Sequence, residues 1–215
     1  MQRRDFLTGM GLLAAFGPRA VSAVVNDVLP PEGVVLNYRV LFNGSDIGHQ
    51  RIRIREHDEA GHVIVEHDTK LEVRILFAVA YSLDHKSTEI WEGFTLKSVK
   101  SETFENDQRT LVKGRATEKG FQLDNQKSQW LTPGDLVTAD SFWIVAALEA
   151  ASVVNTRTGD TAVPVLKKLG EDRWHLSATF AHGAVDATLD FEKGFLREAE
   201  VDSDGHLVRL VRTTV

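Results

Sequence analysis

The chain has 215 residues, a formal net charge of −6 and no cysteine, and its only methionines are Met1 and Met10. The lack of cysteine excludes disulfide frameworks, cysteine-ligated zinc, iron–sulfur clusters and catalytic thiols. The acidic balance argues against nucleic-acid binding, which needs clustered Lys and Arg to neutralise phosphates.

The first 23 residues have the pattern of a cleavable export signal. An arginine pair precedes an apolar stretch over residues 6–16, which is too short to span a bilayer, and Val21-Ser22-Ala23 resembles a small-residue cleavage site. Arg3-Arg4-Asp5-Phe6-Leu7 fits the twin-arginine motif, and a general secretory signal is the alternative. We therefore predict delivery to the periplasm by the twin-arginine export machinery and cleavage near Ala23. The mature chain is expected to hold no sulfur and to have no stable membrane insertion.

Residues 24–33 predict a short tether, and residues 34–215 predict a single β-rich domain. Turn residues such as Asn43-Gly44 and Lys193-Gly194 recur at short intervals along the second part. The segments between them alternate apolar and polar residues, as Arg51 to Arg55 do with Ile52 and Ile54. This pattern is typical of antiparallel strands joined by hairpins, with one face buried and one face in water.

Only residues 140–151 have helical spacing, with Asp140 or Ser141 as the N-terminal cap. We predict a mostly all-β fold, in which an antiparallel β-meander closes into a barrel or a strongly curved half-barrel with one short helix. Closure, or cover by a helix, would remove the exposed sheet edges that such a meander otherwise leaves.

Four stretches carry a family resemblance. They are an aromatic strand, glycine turn and Ile-Gly pair at residues 38–48, then residues 81–91, Ser141-Phe142-Trp143 and the sequence Asn-Thr-Arg-Thr-Gly at 155–159. Together they resemble a set of uncharacterised exported bacterial proteins that share a domain of unknown function. The resemblance implies a secreted β-rich fold, and it transfers no catalytic residue.

The most distinctive chemical pattern lies in residues 63–91. His67 and Thr69 share a strand face with an apolar row that includes Val65 and Val73, so this face is predicted to point inward. If the chain reverses near residues 76–78, that face of one strand opposes a second polar set on the next strand. The expected cross-strand pairs are His67 with Ser87, Thr69 with His85, Val65 with Glu89, Leu71 with Leu83 and Val73 with Tyr81. The predicted ligand-binding residues are His67, Thr69, Tyr81, His85, Ser87 and Glu89.

Two imidazoles and a carboxylate on an apolar wall suit several functions. The leading hypothesis is that the curved sheet binds or carries a small amphipathic or apolar ligand, with the polar cluster holding its head. A rival hypothesis is a hydrolase or isomerase that uses His67, His85 and Glu89 as acid and base. These three residues are also where a metal ion would bind, if there were one. An interaction protein of the cell envelope without a pocket would fit the same sequence, as would a purely structural hydrogen-bond cluster. We predict no cofactor and no metal site, and we leave enzymatic activity open.

Overall fold

The computed structural model describes residues 33–56, 61–181, 183–203 and 206–214, and these consist mainly of strands. The predicted export signal and nearly all of the predicted tether lie outside the described residues. The strands are β1 (Val35–Phe42), β2 (Ser45–Glu56), β3 (Val63–Ile75), β4 (Ala78–Glu92), β5 (Thr95–Glu105), β6 (Gln108–Thr117), β7 (Gly120–Asp124), β8 (Gln129–Thr132), β9 (Leu136–Thr138), β10 (Ser152–Val154), β11 (Thr161–Ala162), β12 (Val165–Lys168), β13 (Arg173–Phe180), β14 (Gly183–Glu192), β15 (Phe195–Ser203) and β16 (His206–Thr214).

Thirteen of these strands form one antiparallel sheet in the order β12-β13-β14-β15-β16-β1-β2-β3-β4-β5-β6-β7-β8. With strands about 4.8 Å apart, a flat sheet of this size would be about 58 Å wide. Phe121 of β7 and Leu189 of β14 nevertheless belong to one buried core, so the sheet must curl. The predicted antiparallel β-meander is confirmed, and its form is a strongly curved open sheet whose two edges are β8 and β12.

Several of the predicted turns have the backbone geometry of tight hairpins. Positive φ angles of 48° and 84° occur at Asn43 and Gly44, and of 54° and 82° at Lys193 and Gly194. Two successive positive φ values are typical of the type I′ turn, which matches the twist of the strands that it joins. Gly48 has a different role, because a Cβ there would lie 1.9 Å from the carbonyl oxygen of Lys70. Only glycine allows β2 and β3 to approach this closely.

Residues 133–164, which we call the insert, connect the two edges of the sheet. The insert contains the small sheet β11-β10-β9 and two 3₁₀ helices, Ala139–Trp143 and Val145–Glu149. Its buried apolar side chains belong to the same core as the inner face of the large sheet. The insert therefore covers the concave face.

The helical segment lies where the sequence predicts it, but its geometry differs from the α-helix expected over residues 140–151. Ile144 separates the two 3₁₀ helices with extended angles, φ −125° and ψ 135°. It forms an isolated antiparallel bridge with Phe195, and the next amide, of Val145, donates to the carbonyl of Gly194 at 3.0 Å. Pairing with β15 therefore draws Ile144 out of the helical conformation.

Candidate functional site

The hairpin of β3 and β4 has the register expected from the sequence. His67 pairs with Ser87, Thr69 with His85 and Val65 with Glu89, and the two remaining predicted pairs are also present. His67, His85, Ser87 and Glu89 are all buried on the inner face. The register therefore brings together four of the six predicted site residues, while Thr69 and Tyr81 remain partly exposed.

Glu89 is the centre of the first half of the site. Its carboxylate accepts hydrogen bonds from the hydroxyl of Thr138, from Ser141 Oγ at 3.0 Å and from Trp91 Nε1 at 2.9 Å. His67 Nε2 lies 3.6 Å from Glu89 Oε1, and neither side chain has any exposed surface. Since Thr138 and Ser141 belong to the insert, Glu89 joins the insert to β4.

His67 interacts with Glu89 through proximity rather than through a hydrogen bond. Neither of its ring nitrogens has a hydrogen-bond partner among the described residues. Burial acts to lower the pKa of His67, but the negative charge of Glu89, and to a smaller extent that of Asp140, outweighs it and raises the pKa above its usual value. The position of Glu89 therefore favours the protonated form of His67.

Asp140, also from the insert, is the centre of the second half. Its Oδ2 accepts hydrogen bonds from Ser87 Oγ at 3.0 Å and from Thr156 Oγ1 at 2.6 Å, and it lies 3.1 Å from His85 Nε2. The other ring nitrogen of His85 is 2.7 Å from Thr103 Oγ1. Burial would raise the pKa of Asp140, but the charge of His85 and its hydrogen bond hold that pKa well below its usual range.

Tyr81 takes part in a second contact between the insert and the sheet. Its hydroxyl donates to Glu105 Oε1 at 2.9 Å, and Arg157 of the insert donates to the same carboxylate oxygen. Burial raises the pKa of Tyr81 to about 12. Tyr81 therefore lies in a network separate from the histidines.

Four residues of the insert complete the site and are absent from the set predicted by sequence: Thr138, Asp140, Ser141 and Thr156. The sequence carries a partial signal, since Ser141 and Thr156 fall within stretches that show the family resemblance. The helical pattern of residues 140–151 indicated only a capping role for Asp140 and Ser141. No pattern in the sequence indicates that the insert packs against β4.

The site does not have the arrangement of a metal centre. Within the part of the chain that the structure describes, no group of three or more His, Asp or Glu side chains is placed to hold a metal ion. His67 faces Glu89, whereas His85 faces Asp140, so the three residues considered as possible ligands divide between two pairs. None of the described helices is long and apolar enough to cross a membrane.

A cleft of about 340 Å³ opens between the insert and the turn that joins β4 to β5. Ser141 lines this cleft and also donates to Glu89, so the buried cluster forms part of the support for its wall. The apolar lining is Trp91, Phe94, Val137, Trp143, Ile144, Ala146, Ala147 and Ala150, and the polar lining is Thr95, Asp135, Ser141 and Glu149. Two larger grooves along β6 to β8 are lined mainly by polar and charged side chains, which suit a solvated surface.

The comparisons with known proteins agree with this architecture. The fold is similar to the crystal structure of a beta-barrel-like protein of the domain of unknown function DUF1849 from Brucella abortus, with a TM-score of 0.55 and 9% sequence identity over 84% of this chain and 95% of that one. At this identity the likeness concerns the fold alone. No curated protein matches the sequence. The model of a family of unknown function, DUF6134, matches residues 38–213, which confirms the predicted resemblance to such a domain. The chain therefore belongs to the DUF6134 family.

Proposed function

We propose that this protein is an exported binding protein that holds a small amphipathic ligand in the cleft between the insert and the β4–β5 turn. The observation that carries the proposal is the apolar lining of that cleft beside a few polar groups. Its volume of about 340 Å³ lies at the lower end of the range for small-molecule sites, about 300–1,000 Å³. Such sites combine hydrophobic walls with a small number of placed polar groups.

The charges of the lining favour a ligand with a neutral or positively charged head. Asp135 and Glu149 are the charged residues of the lining, and both are exposed. No Lys, Arg or His of the described chain lines the cleft, so an anionic head would meet only like charge. The apolar body of the ligand would pack against the rings of Trp91, Phe94 and Trp143.

This position differs from the one expected from the sequence, which put the ligand on the histidine wall inside the sheet. The insert covers that wall, and the side chains of His67 and Glu89 are 0% exposed. The buried cluster would instead hold the insert in the position that shapes the cleft. A substrate of a hydrolase or isomerase would have to reach His67 or His85, whose side chains are 0% and 3% exposed. Binding is therefore better supported than catalysis.

The binding proposal is tested by titrating the protein with dodecyltrimethylammonium and with dodecanoate, each below its micelle concentration, while the tryptophan fluorescence is recorded. Trp91 and Trp143 line the cleft, so an occupant should change their emission. We expect saturable binding of the cation and weaker binding of the anion. The Ala146→Phe variant fills the cleft and should lower the affinity at least about tenfold, equal to about 1.4 kcal/mol.

Ala184→Phe is the matched control, because Ala184 is exposed on β14 and does not line the cleft. It should bind as the wild type does. If neither probe binds saturably, or if Ala146→Phe binds as tightly as Ala184→Phe does, the cleft is not a ligand site.

The proposal includes export to the periplasm by the twin-arginine route, which the pattern of residues 1–23 supports. Fractionation of cells that express the wild type should find the shortened chain in the periplasm. Replacement of Arg3 and Arg4 by lysine should leave the full-length chain in the cytoplasm. Normal processing of the lysine variant would indicate the general secretory route, and full-length wild type in the cytoplasm would overturn export.

A further inference from the structure

The hairpin of β3 and β4 extends beyond its neighbours in the sheet. On one side, the last residue of β3 that pairs with β2 is Leu71, opposite Gly48. On the other side, the last residue of β4 held by the β5–β6 turn is Ser82, which bonds to Asn106. Residues 72–81 therefore form a two-stranded projection, and within the described chain the sheet gives it no further strand partner.

The end of this projection is apolar and open to solvent. We call residues 75–80, Ile-Leu-Phe-Ala-Val-Ala, the hairpin tip. Leu76 and Phe77 at the turn are 90% and 100% exposed, and Ile75 and Val79 are 64% and 49% exposed. Isolated surface apolar residues are ordinary, but a contiguous exposed patch of large ones marks an interaction site.

The apolar side chains of the hairpin tip point in more than one direction. Ile75 pairs with Ala78, and the next pair is Arg74 with Val79. Successive pairs in a hairpin face opposite sides, so Ile75 and Val79 lie on opposite faces while Leu76 and Phe77 lie at the end. A flat protein surface could cover one face only, whereas an apolar medium that surrounds the hairpin tip would cover all of it.

Charged residues begin immediately behind the hairpin tip, and they are paired with one another. Arg74 forms an ion pair with Glu72, and Lys70 forms one with Asp84 at 3.3 Å. Arg74 lies two residues behind the turn, which is about 7 Å along the strand. This distance matches the depth of about 5–10 Å at which interfacial segments sit in a bilayer. The hydrated headgroups at that depth can also satisfy the free backbone groups of the strands.

We propose that the hairpin tip inserts into a lipid surface and holds the protein reversibly at a membrane. The charges near the hairpin tip indicate which lipid headgroups it prefers. The hairpin tip is uncharged and the neighbouring charged side chains are paired, while the chain carries a net charge of −6. The contact is thus hydrophobic and favours zwitterionic headgroups over anionic ones. It is shallower than a stable membrane insertion, which the sequence does not predict, and it does not depend on the cleft.

A second copy of the chain fits the hairpin tip less well. Pairing between two projections would need a regular free strand edge, but the register shifts between Val73 and Arg74. Such an irregularity interrupts the ladder and protects an edge from pairing.

The test is co-sedimentation of the full chain with phosphatidylcholine vesicles. We expect the wild type to sediment with the vesicles, with little change on addition of salt or of phosphatidylglycerol. The double variant Leu76→Ser/Phe77→Ser should lose at least tenfold in partitioning while its thermal unfolding and its cleft titration stay unchanged. In Phe77→Trp, the new indole should shift to the blue with vesicles, and lipids brominated near the headgroup should quench it.

The control Leu131→Ser/Val165→Ser removes two exposed apolar side chains from the sheet edges and should partition as the wild type does. Wild type that stays in solution, or a tip variant that sediments equally, would overturn the proposal. Binding that requires phosphatidylglycerol and disappears with salt would also overturn it. If sedimentation velocity without lipid shows a dimer that the tip variant loses, the occupant is a second copy and the lipid proposal is wrong.

Discussion

The insert meets the curved sheet on two walls of different chemistry. The β4 wall presents His85, Ser87 and Glu89, and its contacts to the insert are hydrogen bonds and ion pairs. The wall formed by β14 and β15 presents buried apolar side chains such as Leu189 and Leu196. There the insert packs the ring of Trp143 on Phe195, with ring centroids 6.3 Å apart.

This difference suggests separate roles for the two walls. Apolar burial is non-directional and tolerates small displacements, so on the β14–β15 wall the backbone contacts of Ile144 and Val145 with this hairpin fix the position of the insert. Hydrogen bonds near 3 Å between buried groups allow little displacement, and an unmade one is costly. We infer that the β4 wall, together with the bridge at Ile144, sets the position of the insert and with it the shape of the cleft.

The largest expected effect comes from breaking the β4 wall at its centre. Glu89→Ala would leave His67 buried without the carboxylate that offsets its burial, and it would remove the acceptor of Trp91 Nε1 and Ser141 Oγ. We expect a loss of about 3–5 kcal/mol in the free energy of unfolding, measured by urea denaturation. Glu89→Gln keeps the shape and part of the hydrogen bonding and should cost less. A loss below about 1 kcal/mol for Glu89→Ala would contradict the role of this wall.

The matched change on the apolar wall is Leu189→Ala, at a residue that is buried in the core. We expect it to cost about 3 kcal/mol through lost burial and the cavity left behind. Since no charge is involved, the same loss should be measured at pH 5.5 and at pH 8. A loss that changes with pH would show that the two walls are not independent.

The smallest expected effect is the pH dependence that His67 and Asp140, two titratable groups that face the β4 wall, contribute to stability. The pKa of Asp140 is lowered in the fold, so its contribution to stability is present above its ordinary value of about 4 and is lost as the pH falls through the folded pKa. The pKa of His67 is raised, so its contribution is present below about 6.5 and is lost as the pH rises through the folded pKa. The wall therefore contributes most between about pH 4 and 6.5.

Urea denaturation of matched variants at pH values that extend below about 4 and above about 6.5 checks the decline in stability at both ends. Asp140→Asn should reduce the loss of unfolding free energy at acid pH, and His67→Gln should reduce the loss at alkaline pH. The unfolding free energy of Leu189→Ala should change with pH as that of the wild type does. An alkaline decline that persists in His67→Gln would mean that another group is responsible.

The sequence predicts the hairpin but not the position of the insert, for physical reasons. In β3 and β4 the alternation of apolar and polar residues, together with a short turn, determines both the face and the register, so His67 could be placed opposite Ser87. No local periodicity tells which distant segment covers that face. Asp140 and His85 are 55 positions apart, and their contact depends on the path of the whole insert. The break in the predicted helix has the same origin, since Ile144 pairs with Phe195 of a much later strand.

The pairing of β1 with β16 has a consequence for how the protein is made. Thr213 Oγ1 donates to the carbonyl of Asn37 across 176 positions, so β1 remains an unprotected edge until β16 has been synthesised and has folded onto it. Contacts this far apart in sequence slow folding, and an unpaired strand is prone to aggregate in the meantime. The first and last strands of the sheet along the chain, β1 and β16, are thus neighbours, whereas its edges are β8 and β12. A circular permutant that joins β1 and β16 by a short linker and opens at Pro133-Gly134, beside the edge strand β8, would turn their pairing into a local hairpin without separating another pair of neighbouring strands in the large sheet, and it should fold faster into the same sheet.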